Sequence, residues 1–488
     1  MKNGADQFKK IVSHAREYGF VFPSSEIYDG LGAVYDYGPY GVELKNNLKN
    51  YWWKAMVHLH ENVVGVDSAI FMHPKIWEAS GHVGGFNDPM IDNKDSKKRY
   101  RADELIENKI AQYQGKGKTE KAGQLHTEFV ACLEKDDLKG LHDLIVSHEI
   151  ACPESGSKNW TEVRQFNLMF STQMGSTAEG ADKIYLRPET AQGIFVNFLN
   201  VQKSARMKVP FGIAQIGKAF RNEIVARQFI MRMREFEQME MQFFVRPGEE
   251  MEWYEHWRDK RLKWHLSLGG NPDNYQFHVH DKLAHYANAA VDIEYQFPFG
   301  FKEVEGIHSR TDFDLGNHQK FSGKKLQYFD PELNQNYVPY VVETSVGVDR
   351  LFLTVMCNAF AEEEVGTGDK SDVRTVLRIP AFLAPVKVAV LPLVKKDGLP
   401  EVARKIMAEL QLQHNCRYDE KDAIGRRYRR QDAVGTPFCV TIDHDTLSDQ
   451  AVTVRERDSM QQERVPINQL SSYIGKALSV EEKLRGLI

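Results

Sequence analysis

Cysteine is scarce, at 5 of 488 residues, and the five are unevenly spaced. A disulfide scaffold is thereby excluded, and the thiols are expected to stay free in a reducing compartment. Long apolar runs are missing too: no stretch nears the roughly 18 continuous apolar residues of a membrane span. Met1 to Phe20 holds no apolar core, and Asp6 and Glu17 sit poorly in a transit peptide. The expectation is a cytoplasmic protein with no membrane partner. Charge of one sign is lacking as well, since 63 Lys and Arg oppose 68 Asp and Glu, leaving −5. Any nucleic-acid binding must therefore come from local patches. There is no internal repeat and no Gly-x-x-x-x-Gly-Lys-Ser/Thr loop, which argues against a P-loop nucleotide site. What remains is ordinary globular composition, 42% hydrophobic and 27% charged, at a length that suggests two to four domains.

Several stretches have a distinct character. Phe20 to Gly41 is rich in glycine and tyrosine, loop material built around aromatics. Leu44, Leu48, Trp52, Met56 and Leu59 recur every three or four residues and predict a helix. An extended run follows from Val63 to Met72 and stops at Pro74. Residues 95–149 are dense in charge, with sparse apolar residues at helical spacing, and predict a helical insertion. Strand signals dominate at Gly212–Phe220 and Glu235–Val245; a further core element starts at Tyr340 and runs into a helix from Gly347 to Asn358. Residues 361–372 are acidic and glycine-bearing, and predict an exposed loop. Past Pro385, strands alternate with helices, as in a small α/β domain.

The functional signal is concentrated in Phe220-Arg221-Asn222-Glu223 and in Arg232 to Glu240, joined by a loop through Val225–Ile230. A mixed row of Arg and Glu on a central sheet is costly unless a ligand or partner ion satisfies it. Arg-Asn-Glu alone would fit a solvated sheet face laced with ion pairs better, since three-residue matches often arise by chance. Longer strings stand beside them: Ile76-Trp77-Glu78-Ala79-Ser80-Gly81-His82, Arg187-Pro188-Glu189-Thr190-Ala191-Gln192-Gly193, and Val342-Glu343-Thr344-Ser345-Val346-Gly347-Val348-Asp349-Arg350. Together they resemble the homodimeric class II glycyl-tRNA synthetases, over nearly the whole chain.

The resemblance implies an α+β catalytic core over 1–94 and 150–378, with a mixed, mainly antiparallel sheet. It implies a C-terminal α/β anticodon-binding domain over 385–488, with 95–149 as the insertion. Motif 1, the dimer-forming element, would span about 43–74, motif 2 about 212–245 and motif 3 about 340–358. The implied reaction joins glycine to its tRNA through a glycyl-adenylate, with ATP as substrate. No nucleophilic side chain is needed, so catalysis reduces to positioning and to neutralising phosphate charge. By resemblance, Arg221 holds the α-phosphate and the substrate carboxylate, and Arg350 the γ-phosphate. Phe236 stacks on adenine, Glu223 reads its amino group, Asn222 and Arg234 complete the ATP side, and Glu305 and Arg310 either join the ATP side or support the site residues from behind. Glu189, Glu240 and Glu343, with Ser345, form the pocket for the glycine ammonium. Three carboxylates so close would repel one another, and one is expected to carry a raised pKa until substrate binds. Mg²⁺ would bridge phosphates, with Glu332 or Glu343 as conceivable ligands.

The tail from Pro385 carries 17 Lys and Arg against 15 Asp and Glu, so it is +2 while the remainder is −7. Arg426, Arg427, Arg429 and Arg430 surround Tyr428, a basic cluster beside an aromatic that fits splayed loop RNA. Cys152-Pro153-Glu154-Ser155 looks like half of a zinc knuckle whose second thiol is replaced, so no zinc and no protein-bound metal are expected. Two other readings are a non-enzymatic nucleic-acid-binding descendant of the same fold and a ligase that charges a carrier protein. The retained Arg221, Glu223, Arg350, Glu189 and Glu343 oppose the first, and the basic tail opposes the second.

Overall fold

The computed structural model describes residues 2–175, 182–224, 228–280, 283, 287–366 and 372–488. The chain divides into two compact units: residues 1–68, 190–218 and 236–488 form the first, and residues 69–189 and 219–235 the second.

The first unit is organised on a seven-stranded sheet. Its strands are β1 (Val63–Gly65), β2 (Phe211–Phe220), β3 (Glu235–Val245), β4 (Tyr275–Val279), β5 (Ala289–Phe297), β6 (Gly300–Thr311) and β7 (Tyr340–Gly347), in the order β4-β5-β6-β7-β3-β2-β1. The ladders β4/β5, β5/β6, β6/β7 and β7/β3 are antiparallel, while β1 pairs in parallel with β2. The mixed, mainly antiparallel sheet anticipated from the motifs is therefore present. Strand β1 is only three residues long, shorter than the run to Met72 predicted.

Side chains alternate across a strand, so register decides what shares a face. Glu240, Ser345, Gly306, Asp292 and His278 lie directly opposite one another on five successive strands. One row along, Gln242, Glu343, His308 and Ala290 do the same. These rows are two residues apart and occupy one face. The other face carries Met241, Phe243 and Glu305, and a helix over Glu250–Ser267 covers it through Trp253 and Trp257, whose rings lie 4.7 and 5.3 Å from Phe243. The polar face turns apolar at Phe244 and Val341, where a helix over Ala191–Ser204 packs with Phe195 and Phe198.

The helix predicted around Leu44 spans Pro39–Trp53, with proline at its first position, where no amide donor is needed. It docks on the helix Val348–Ala359 through a buried ion pair of Lys45 with Asp349, 2.9 Å apart, and Glu237 lies 3.2 Å from the same ammonium. The two ends of the segment 361–372 are strand rather than the exposed loop expected. Strand Phe360–Val365 pairs antiparallel with Asp372–Leu377, where Arg374 lies opposite Glu363 and Arg378, just past the strand, also reaches it, so that its charge is neutralised. The middle of that segment, 367–371, lies outside the described residues.

Past Pro385 a five-stranded sheet forms, with helices Leu399–Gln411, Ile424–Val434 and Ile467–Leu478. Its core includes Val388, Val390, Ile406, Leu410, Val440, Val454 and Ile474. Strand Gln462–Pro466 was not anticipated, since charge masks its alternation. The predicted closing helix to Leu487 breaks at Ser479.

In the second unit, helices Ala102–Gly115, Thr119–Glu134 and Leu138–Ser147 fill the segment expected to be helical. Their core, built on Leu105, Ile106, Leu125, Phe129 and Ile145, extends to Ile91, Tyr100, Ile150 and Trp160 outside it. A three-stranded sheet, Arg99–Arg101, Asn87–Asp92 and Arg164–Asn167, lies alongside in the same unit.

Candidate active site

In the first unit, Glu343 is the centre of a hydrogen-bonded cluster on the polar sheet face. Gln242 Nε2 donates to Glu343 Oε2 at 2.6 Å and to Glu240 Oε1 at 2.9 Å. Thr190 Oγ1 donates to Glu240 Oε2. His308 Nδ1 lies 2.9 Å from Glu343 Oε1, and Arg310 Nη1 reaches both Glu343 oxygens at 3.2–3.3 Å. Arg310 also forks onto Asp314 at 2.8 and 3.0 Å, and Gln192 Nε2 donates to Asp314 at 3.0 Å. Gln238 Nε2 donates to Ser345 Oγ at 3.3 Å, while Gln238 Oε1 accepts from the Thr190 amide.

Burial by itself would raise the Glu343 carboxyl, but the Arg310 guanidinium, His308 and Gln242 outweigh it and hold the group well below the usual carboxylate range. The expected raised pKa is thus not found at Glu343. The site supplies its own cation and two further hydrogen-bonding groups, so mutual repulsion of carboxylates does not decide its charge. His308 is shifted up: burial opposes its charge, and the Glu343 carboxylate more than restores it.

Of the two residues expected on the ATP side or behind the site, Glu305 leaves the site and Arg310 supports it. Glu305 is fully buried on the opposite sheet face, ion-paired with Arg261 at 2.6 Å and bonded to His265 at 2.6 Å. Its strand neighbour Gly306 faces the site, so a one-residue parity removes Glu305 from it. Arg310 is engaged by Asp314 and Glu343 and positions the latter, which leaves no fork for a nucleotide. Arg350 sits in the first turn of its helix, with Nη1 2.9 Å from Glu303 Oε2. Phe236 is half-buried on β3.

The second unit holds the remaining assigned residues. Arg221 Nε donates to the Pro188 carbonyl at 3.1 Å, and its guanidinium lies over the Phe86 ring, 5.4 Å from the centroid. Backbone bonds fix its strand: the Arg221 amide to the Arg234 carbonyl, and the Asn222 amide to the Leu168 carbonyl. Arg234 Nε donates to the Glu223 carbonyl at 2.9 Å. Glu189 Oε2 lies 3.4 Å from His82 Nε2, and His82 Nδ1 lies 2.8 Å from Ser80 Oγ. The strings around Ser80, Pro188 and Arg221, far apart in sequence, are thus brought together in one unit. Residues 225–227 of the loop expected between the two charged strands lie outside the described residues.

Three comparisons bear on this chain. The class II tRNA synthetase core domain family (G, H, P, S and T) matches residues 170–359, the glycyl-tRNA synthetase insertion domain 1 family matches 88–124 and 116–168, and the anticodon binding domain family matches 387–477. The glycine–tRNA ligase of Chlorobaculum tepidum is 52% identical over 96% of this chain and 99% of that protein. This chain belongs to the glycine–tRNA ligase family. The family member of Geobacillus thermodenitrificans is 51% identical, covering 97% of this chain and 98% of that protein. A solved prolyl-tRNA synthetase from Cryptosporidium parvum superposes with a TM-score of 0.58 at 14% identity, over 98% of this chain and 76% of that one, and shows the shared fold. Ligase chemistry, a class II core and an anticodon-binding domain follow from membership in the glycine–tRNA ligase family. Among the described residues no helix is long and apolar enough to cross a membrane.

The carboxylates considered for Mg²⁺ do not fit that role. Glu332 is paired with Arg246 at 2.5 Å, and Glu343 is flanked by Arg310 and His308, whose nitrogens offer no oxygen ligands to complete a Mg²⁺ shell. Cys152 is buried, as expected, but its environment is not inert. Burial raises its pKa, and hydrogen bonds from Ser155, Ser96 and Tyr100 overcome this and pull it down to about 6.

In the C-terminal domain the arginine cluster divides. Arg427 is buried and gives its fork to the carbonyls of Pro392, Leu393 and Asp419, so it cannot bind tRNA as expected. Arg430 is paired with Asp419 and Asp422. Tyr428 bonds Thr441 and lies under Arg455, 4.8 Å from the ring centroid, so its faces are not open to bases. Arg426 is exposed and Arg429 half-buried. The residues that sequence reading missed are Gln238, Gln242, His308 and Thr190. The first two were legible in principle, as every second residue with Glu240.

Proposed function

We infer that the chain condenses glycine with ATP to glycyl-adenylate and passes the glycyl group to tRNA. What carries this reading is the Glu343 cluster: a carboxylate kept ionised on the polar sheet face, linked through Gln242 to Glu240 and beside Ser345. Such an arrangement suits a small ammonium. The cation gains a charge-assisted hydrogen bond without requiring the carboxylate to lose a proton first. Glu189 is assigned to the same ammonium by resemblance. Substrate binding follows, then attack of the glycine carboxylate on the α-phosphorus, with pyrophosphate leaving. Arg221 neutralises the charge that builds at that phosphorus, Arg350 holds the γ-phosphate once it exchanges Glu303 for it, Phe236 stacks on adenine and Glu223 reads its amino group. Arg426 and Arg429 are the members of the basic cluster placed to meet tRNA. The chain acts as a homodimer through the segment 43–74, in the cytoplasm.

ATP–pyrophosphate exchange measured with all twenty amino acids tests this. Glycine alone should support exchange, and Arg221→Ala should lower it by about 100-fold or more. Exchange with another amino acid, or near-normal exchange by Arg221→Ala, would refute the assignment. Sedimentation showing a fully active monomer would refute the dimer.

A further inference from the structure

The polar sheet face continues past Glu343, through His308, to side chains that the reaction above does not use. Asp292 lies opposite Gly306 on β6 and His278 on β4. His308, two residues beyond Gly306, shares that face, and His280 follows the end of β4. His280 Nε2 is 2.9 Å from Asp292 Oδ2, and His308 Nε2 is 4.0 Å from Asp292 Oδ1. One ligand atom from each of the three residues lies within 4.8 Å of the others. An ion bound at about 2.0–2.2 Å to nitrogen and carboxylate oxygen holds its ligands roughly 3.4 Å apart when tetrahedral, so small side-chain rotations would close this set on a metal.

Two further observations point the same way. A Cβ at Gly306 would lie 2.9 Å from His308 Cε1, 3.1 Å from His308 Nε2 and 3.6 Å from Asp292 Oδ1. The missing side chain is the space beneath the donors. His308 Nδ1 also faces the Glu343 carboxylate at 2.9 Å. That bond places the proton on Nδ1 and the lone pair on Nε2, toward Asp292, which is how metal-binding histidines are usually oriented by an outer carboxylate. Glu343 is itself fixed by Arg310 and Gln242. His280 is about a third exposed, which gives an ion a path in and leaves a coordination position for solvent.

We propose that His280, Asp292 and His308 bind one divalent transition-metal ion of the Zn²⁺ class. Two imidazoles and one carboxylate favour such an ion over Mg²⁺ or Ca²⁺, which take oxygen ligands. Bound there, it fixes the His308 ring and, through it, the orientation of Glu343. The site is independent of the cysteines, and spacing along the chain could not reveal it, because its ligands come from two strands and from the residue just past a third.

The test uses the full-length protein, stripped with chelator and titrated with Co²⁺. One Co²⁺ per chain should bind, with visible absorption of a low-coordinate site and without the near-ultraviolet band of thiolate ligation. Equimolar Zn²⁺ should displace it, and a tenfold excess of Mg²⁺ should not. His280→Ala and, separately, Asp292→Asn should each weaken Co²⁺ binding at least tenfold while melting as cooperatively as the parent. Unchanged Co²⁺ affinity in both variants, no stoichiometric binding by the parent, a thiolate band, or displacement by Mg²⁺ would overturn the proposal.

Discussion

Glu305 and Glu343 lie on adjacent strands, and each is a buried carboxylate held by one arginine and one histidine. Glu305 has Arg261 and His265; Glu343 has Arg310 and His308. Both are held below the ordinary carboxylate pKa despite burial. They differ in the face they occupy. Glu305 points into the layer between the sheet and the helix Glu250–Ser267, where its partners and it are closed off together. Glu343 points to the polar face beside Ser345, Glu240 and Gln242. Its arginine has a second carboxylate, Asp314, while among the described residues Arg261 pairs with the Glu305 carboxylate alone. The lesson is that burial and ion pairing do not by themselves make a glutamate a site residue; the polar groups that share its sheet face do.

That contrast can be broken most severely at Glu305. Glu305→Gln leaves the Arg261 charge buried without its counter-ion, so unfolding in urea should show a loss of about 3–5 kcal/mol in the transition that reports this unit. The glycine KM of the folded fraction should move little. A stable variant with impaired glycine activation would reverse the two roles. Glu343→Gln should do the opposite. Asp314 still neutralises Arg310, so stability should fall less, while loss of a charge-assisted hydrogen bond worth roughly 1.5–3 kcal/mol should weaken glycine activation about ten- to hundredfold. ATP affinity should change much less; if ATP weakened and glycine did not, Glu343 would be a nucleotide residue.

Lys387 sharpens the comparison from the other side, as a cation whose hydrogen-bond acceptors are backbone carbonyls, those of Phe382 at 2.6 Å and Ala381 at 3.3 Å. Burial pushes its ammonium down to about 7. The unfolded chain therefore binds more protons between pH 7 and its ordinary value of about 10.4, so this group makes stability rise with pH across that window. Lys387→Met should flatten that rise, by at most about 1.4 kcal/mol per pH unit, when melting is followed from pH 7 to 10. A profile identical to the parent's would show that the ammonium stays solvated. The smallest effect is expected at Ser345→Ala. A neutral hydrogen bond worth about 0.5–1 kcal/mol should cost glycine activation a factor of two to five, in the same direction as Glu343→Gln. A larger loss than that of Glu343→Gln would move the centre of the pocket to the hydroxyl.

Much of the fold could be read before the structure was seen. The helix stripe at Leu44, Leu48 and Trp52, the strands at Gly212–Phe220 and Glu235–Val245, and the alternating elements past Pro385 all follow from local periodicity. Readings failed where charge and structure coincide. The acidic run after Phe360 looked like loop, but its ends are strand, with Arg374 and Arg378 neutralising Glu363. Arg427 looked like surface, but the carbonyls of Pro392, Leu393 and Asp419 draw it into the interior.

The sequence by itself determined the elements, the family, and which residue types could neutralise phosphate or hold an ammonium, because these rest on local pattern and on long matching strings. Only the tertiary structure decided that Glu343 faces the site and Glu305 does not, that Arg310 positions a carboxylate, and that His280, Asp292 and His308 meet. Those outcomes depend on strand register, and a shift of one residue in pairing exchanges the two faces of a sheet without changing a letter of the sequence.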